Sequence, residues 1–406
     1  MGIVHEKYNQ LKPEFRYLWD EVVLAQAWKK SHAYIRSHNW YADTLELDCS
    51  AVNLEARIKE WSQELRDQSY APSEMKMVPA PKPDHWIFYQ VENEWKWGPK
   101  PKIDDSRKRK PYAHPILCDC RKQPNVQPTI SDCKELRPLA HLNIQDQTVA
   151  TAIMLCLSDA VETEQGCTET DQAWSYGNRL FCDWKDNKAR FRWGNSSTYS
   201  KYFKDYQRFL ERPIKKAQIV QPSLPPNVGI YEIHLDLSAF YDSIDRELLV
   251  KKLKNIAKKH YETDSEQWKL FWSVVENIFN GWEWASEDIG LADCLKNGTL
   301  PDGKGLPQGL VASGFFANAY LIKLDKRLSQ LIGNMLGGVT LIDYCRYVDD
   351  MRLLVHVPFA NEPQDWVEWV ESNIQPIVGK TECIILNPEK TKVEHYTAKR
   401  SGVSVR

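Results

Sequence analysis

Residues 344–355 read YCRYVDDMRLLV, two short apolar runs interrupted by adjacent carboxylates, Asp349 and Asp350. Asp is depleted in β-strands and neighbouring like charges repel. The pair is therefore either the acidic turn of a hairpin or part of a cluster held together by a cation. Taken alone, the turn suffices. A third acid changes the balance. Residues 230–237, IYEIHLDL, alternate as a strand and carry Asp236 at their end, where a charge is costly unless something pairs with it. If the two strands are neighbours in one sheet, three carboxylates converge at its edge. Hard oxygen donors with few other ligands suit Mg²⁺, and two such ions roughly 4 Å apart are a common device for in-line nucleotidyl transfer.

The rest of the composition neither adds to this nor opposes it. A chain of 406 residues exceeds what one core usually supports, so subdomains around a cleft are expected. Hydrophobic content of 42%, charge of 27% and a net charge of −2 are ordinary, so any surface for a polyanion must be local. Sixteen Trp and 18 Tyr supply many flat rings for packing or base stacking. The N-terminus lacks an apolar signal region, and no stretch is long and apolar enough to span a membrane. The ten Cys show no paired metal-binding spacing and read as reduced thiols of a cytoplasmic protein.

Periodicity predicts helices over 14–68, then a Pro-rich extended connector and the basic run Arg107, Lys108, Arg109, Lys110. That run is either a solvated face or a phosphate contact. A helix follows RPLAHLNIQDQ (137–147), another starts near Asp245, and a small-residue helix follows GLPQG (305–309). An amphipathic helix and a strand pair around LNPEKTKVEHY close the chain. The order predicts an α+β fold, an antiparallel sheet with helices on one face. The expected divisions are a helical N-terminal region with its connector (1–111), a second unit (112–228) and the sheet-bearing unit (229–406).

Several of these segments together resemble the reverse transcriptases, over roughly residues 112–396. HLDLSAFYDSID resembles their motif A, GLPQGLVASGFFANAYL motif B, YVDD motif C and LNPEKT motif D; RPLAHLNIQDQ resembles the fingers segment, and SYGNRL (175–180) recurs in bacterial members. The resemblance implies a right-hand polymerase fold with fingers, an antiparallel palm and a helical N-terminal extension. It implies catalytic Asp236, Asp349 and Asp350, two Mg²⁺ ions held by these and Leu237, and dNTPs as substrates. Tyr241, five residues past Asp236, matches the steric gate that excludes a ribose 2′-hydroxyl. Arg137, Gln308, Gly309 and Lys390 match nucleotide-binding positions, with Lys392 a rival to Lys390. Arg179, Arg346 and the 107–110 run are candidate nucleic-acid contacts, and Arg346 with Arg352 either meets the primer or balances the acids.

Three departures stand out: Ser313-Gly314 where motif B usually has Ser-Pro, Gln147 where the fingers segment usually has Arg, and only some fifteen residues after LNPEKT. The first two, with SYGNRL, are similar to the unknown-group and abortive-infection enzymes of bacterial phage defence. The third predicts a minimal or absent thumb, so that N-terminal helices, a noncoding RNA, a second subunit or another copy of the chain would hold the RNA template and DNA product. Untemplated or protein-primed synthesis, and a polymerase-like RNA-binding scaffold, are the alternatives.

Overall fold

A computed structural model describes residues 8, 10–37, 44–81, 86–91, 94–99, 136–288 and 304–396. In chain order its helices begin with α1 (Phe15–Leu18), α2 (Glu21–Ser37), α3 (Thr44–Ala51), α4 (Leu54–Arg66), α5 (Ile144–Gln165), α6 (Tyr202–Val220), α7 (Phe240–Ser243), α8 (Arg246–Ala257) and α9 (Glu266–Asn280). The strands are β1 (Lys76–Pro81), β2 (Trp86–Val91), β3 (Glu94–Pro99), β4 (Leu136–His141), β5 (Cys182–Lys185), β6 (Lys188–Phe191), β7 (Val228–Asp236), β8 (Met335–Leu336), β9 (Val339–Tyr347), β10 (Asp350–Pro358) and β11 (Lys392–His395). The architecture is α+β, as the sequence predicts.

Five strands form one antiparallel sheet in the order β11-β7-β10-β9-β8. Ile233, Leu235, Leu353 and Val355 are buried in its two central strands, which explains their apolar runs. Successive residues on β9 point to opposite faces. Tyr344 and Arg346 meet the helix Ser313–Ser329 through Asp325. Asp343, Cys345 and Tyr347 meet α6: Arg212 clasps Asp343 at 2.7 and 2.9 Å, and the Phe209 ring lies 5.8 Å from that of Tyr347. Helices thus cover both faces at this point, not one as expected. The reason is that α6 carries its own counter-charge for the acid that β9 turns toward it.

The N-terminal helices are not an appendage. Leu18, Leu24, Ile35 and Trp61 share one core with Ile153, Leu157, Ile233 and Phe315. Helix α5 is buried around nearly its whole circumference, as a helix apolar on all sides must be. Along it, Ser31 of α2 meets Gln147 and Thr151. Strand β1, from the expected connector, pairs with β4. The division drawn at 111 therefore falls between elements that hold each other. Among the described residues no helix is long and apolar enough to cross a membrane.

Asp146, in the first turn of α5, accepts from Tyr70 Oη at 2.5 Å and Ser73 N at 3.2 Å, and burial pushes its carboxyl up to about 6. A folded value above the unfolded one means that the native state holds a proton the unfolded chain has lost. Stability from this group is fully present below about pH 4 and falls as pH rises toward 6. The unfolding free energy of the wild type relative to Asp146→Asn should therefore drop across that window, by roughly 3 kcal/mol at most. Denaturant titrations at several pH values measure it; a flat difference would rule the group out.

Candidate active site

The register of the central strands sets Asp350 opposite Asp236 and, on its other side, opposite Tyr347. Val348 and Asp349 form the two-residue turn between β9 and β10. Asp349 is half-buried, Asp350 exposed. Burial, then the charges of Asp350 and Asp236, push the Asp349 carboxyl up to about 6. Asp350 is raised by burial and by Asp236. Lys390, just before β11, donates to both Asp236 oxygens at 2.8 and 2.9 Å. Lys392 instead stands in register with His234. Among the described residues, no three His, Cys, Asp or Glu side chains converge closely enough to hold an ion as they stand. The donor chemistry still fits one: Asp236 and Asp350 raise Asp349, Asp236 raises Asp350, and a cation between the three would remove that repulsion. Leu237 bridges to Leu386 through the flanking bonds Ser238 N to Ile385 O and Asn387 N to Asp236 O, and among the described residues no backbone group donates to its carbonyl.

The turn is strained and tightly held. Val348 has φ +57°, a region that a β-branched residue avoids, and such strain persists only where surroundings fix it. Arg346 fixes it from below. Fully buried, it pairs with Asp325 at 2.9 and 2.7 Å and donates to Asn318 Oδ1 at 3.0 Å and Val348 O at 2.8 Å. Gly177 of SYGNRL packs above it, since a Cβ there would lie 2.6 Å from Val348 Cγ2 and 2.7 Å from Val348 N. The expectation that Arg346 contacts nucleic acid is therefore corrected: it is the floor of the acidic turn. Arg179 is corrected likewise. It is buried, clasps Glu162 at 2.9 and 2.8 Å and donates to Ser175 O, so it fixes the SYGNRL loop to α5. Arg352 pairs with Glu232 and lies over the Phe209 ring at 4.8 Å.

Tyr241 sits on the one-turn helix α7 behind Asp236. Burial, then the Asp349 charge, raises its hydroxyl, and Asn178 hydrogen-bonds to it. The ring therefore stands between the turn and SYGNRL. The loop before the helix Ser313–Ser329 is tied to the same place: Leu306 N donates to Tyr241 O, and Gln308 Nε2 to Asp242 Oδ1 at 3.2 Å. Gly309 has φ +158°, and a Cβ there would run into the Ala140 carbonyl oxygen. Gln147, fully buried, donates to Gly309 O and accepts from Val311 N, both at 2.8 Å. An arginine could not accept from Val311 N, which gives the departure at 147 a physical reason.

The departure at 314 has one too. A Cβ on Gly314 would lie 2.6 Å from Asn178 Nδ2 and 2.7 Å from its Cγ. Gly314→Ala should force Asn178 off Tyr241 and destabilise the fold by about 1–3 kcal/mol. Adding Asn178→Gly, which suits the φ of +48° there, should restore stability in denaturant titrations. No recovery would mean that the collision lies elsewhere.

Arg137 pairs through its backbone with Ala80; its side chain, and all of Arg107, Lys108, Arg109 and Lys110, lie outside the described residues. The roles of Gln147, Asn178 and Gly177 have no signal in single-residue chemistry. They become visible only when the loops that they join are seen together.

Comparison with known proteins follows the same residues. No curated protein matches the chain. Among solved structures, apo telomerase from Candida tropicalis truncated from its C-terminal domain is 18% identical with a TM-score of 0.30, over 48% of this chain and 36% of that one. Telomerase from Candida albicans in complex with a TWJ fragment of telomeric RNA is 16% identical with a TM-score of 0.32, over 46% and 31%. The chain thus spans about a third of the length of these structures. The family model described as "Reverse transcriptase (RNA-dependent DNA polymerase)" matches residues 122–404, well over half of the chain and all three carboxylates, and the chain belongs to that family.

Proposed function

We propose that the protein is an RNA-directed DNA polymerase that adds dNTPs to a 3′-hydroxyl. One observation carries this reading: Asp236 and Asp350 are cross-strand partners, with Asp349 in the adjoining turn and Tyr241 against it. Asp236, Asp349, Asp350 and the Leu237 carbonyl would hold two Mg²⁺ ions. When bound, such ions activate a 3′-hydroxyl and neutralise triphosphate charge. The chain's own groups do the rest. Arg346 and Gly177 hold the turn, Gln147 and Gly309 hold the loop beneath the incoming base, and Tyr241 walls off the sugar. Lys390, more than half exposed, is the proton donor to the departing pyrophosphate, and it sits at the carboxylates where Lys392 does not.

Purified protein given an RNA template, an annealed primer and Mg²⁺ should incorporate labelled dNTPs. Absence of incorporation on any template, including RNA co-purified from the native host, would end the reading. Tyr241→Ala should raise rNTP use relative to dNTP use by roughly 10- to 100-fold in kcat/KM. An unchanged ratio would remove Tyr241 from the sugar pocket.

The finer reading is cDNA synthesis on an associated noncoding RNA in antiphage defence. Its support is the trio of Gln147, Gly314 and SYGNRL: Gly314 packs against Asn178 of that loop, and Gln147 holds the segment just before Gly314. Sequencing of RNA and DNA bound to protein from infected and uninfected cells tests it; random cellular RNA in both would refute it.

A further inference from the structure

Lys201, which caps helix α6, and its first three residues Tyr202-Phe203-Lys204 are four consecutive exposed residues. Tyr202 is 72% and Phe203 50% exposed, a rare state for large rings on an ordered helix. The two rings meet edge to face at 6.1 Å. One turn on, Tyr206 lies on the same side of the helix and contacts Tyr347 edge to face, centroids 5.1 Å apart. An aromatic path therefore leads from the residue two before Asp349 out to solvent.

The charge pattern fits the rings. Asp205, the acid within this turn, is occupied by Thr168 and Arg208 at 2.9 Å each and by Ser200. Lys201 and Lys204 form no ion pair among the described residues. The helix start thus presents two stacking faces between two cations, and among the described residues no ion pair engages the cations and no ring beyond this pair stacks on Tyr202 or Phe203.

We propose that this helix start is a shelf for the unpaired primer strand upstream of its 3′ end, with Tyr202 and Phe203 stacking on its bases and Lys201 and Lys204 meeting its phosphates. The identity of the strand rests on the polymerase reading, because the 3′ end must lie at the carboxylates and Tyr347 leads from them to the shelf. Flat rings flanked by cations are a sequence-tolerant grip on a single strand, which a copying enzyme needs.

The test uses the full chain and a fluorescent RNA–DNA hybrid in which the DNA primer is paired only over its last few bases at a recessed 3′ end and is single-stranded upstream. Binding is followed by anisotropy without dNTPs, and extension with them. Tyr202→Ala/Phe203→Ala should weaken binding by roughly tenfold or more and raise KM for the primer–template. KM for dNTP and kcat at saturating hybrid should stay unchanged. Tyr202→Trp/Phe203→Trp, which keeps the stacking faces, should restore binding. Lys201→Ala/Lys204→Ala should flatten the dependence of log affinity on log salt by roughly one to two. Unchanged binding and KM in both alanine pairs would overturn the shelf while leaving the polymerase reading intact. The same result follows if wild type binds no hybrid yet extends a primer. Shelf-dependent binding by a wild type that never incorporates dNTPs would keep the surface and sink the reading.

Discussion

Arg346→Met should destabilise the fold by about 3–5 kcal/mol and remove dNTP incorporation, although the arginine has no exposed surface. Its guanidinium is fully surrounded by Asp325, Asn318 and the Val348 carbonyl. Deleting it leaves Asp325 buried, with Tyr344 Oη at 2.8 Å as its remaining partner here. A buried charge without its counter-charge is among the costliest single defects. The second consequence is local. Val348 stands at a positive φ partly because Arg346 holds its carbonyl, so the turn that carries Asp349 should relax. Arg346→Lys should recover only part, since one ammonium cannot span carboxylate, amide and carbonyl together. The pair Arg346→Met/Asp325→Leu separates the two effects: stability should return in denaturant titrations with an unchanged m-value, while incorporation stays lost. If the pair regained activity as well, the arginine would act only through Asp325 and the turn would need no support. If Arg346→Met lost less than about 1 kcal/mol, the network would not hold the fold.

The central sheet and its acids were legible because their signals are local. Alternation marks β7 and β10, and a lone Asp at a strand end beside a distant Asp pair has few explanations. The covering of the second sheet face was not legible. Helix α6 has Pro213 in its interior and buries Asp205 and Arg212, residues that single-sequence patterns assign to surface or breaker. Their burial depends on Thr168 and Asp343, which no window contains. Arg179 and Arg346 misled for the same reason: as isolated cations they read as phosphate contacts. One clue was available, because Asp325 falls on the apolar stripe of Leu321, Leu324 and Leu328. An acid on such a stripe asks for a buried cation, and Arg346 is that cation.

Asp349→Asn should lower dNTP incorporation by about three orders of magnitude or more, equivalent to roughly 4 kcal/mol of barrier, and Asp236→Asn by a similar factor. Asparagine keeps the shape and one acceptor but removes the charge on which a divalent cation depends, so calorimetric titration with Mg²⁺ should show weakened binding in both variants. Asp350→Asn should fall less. It is exposed and lies at the strand start, whereas Asp349 is half-buried between its neighbours' charges. The effect on stability should run the other way. Without a cation the three acids repel, and Lys390 compensates only Asp236 directly. Removing the charge of Asp349 or Asp350 should therefore leave the fold as stable as wild type or more so, by up to about 2 kcal/mol. Loss of activity with equal or greater stability marks a group kept for chemistry, and Arg346→Met, which should lose both, marks one kept for architecture. An Asp349→Asn protein that retained a tenth of wild-type incorporation would remove the turn from the catalytic site. One that unfolded readily would show that these carboxylates serve the fold.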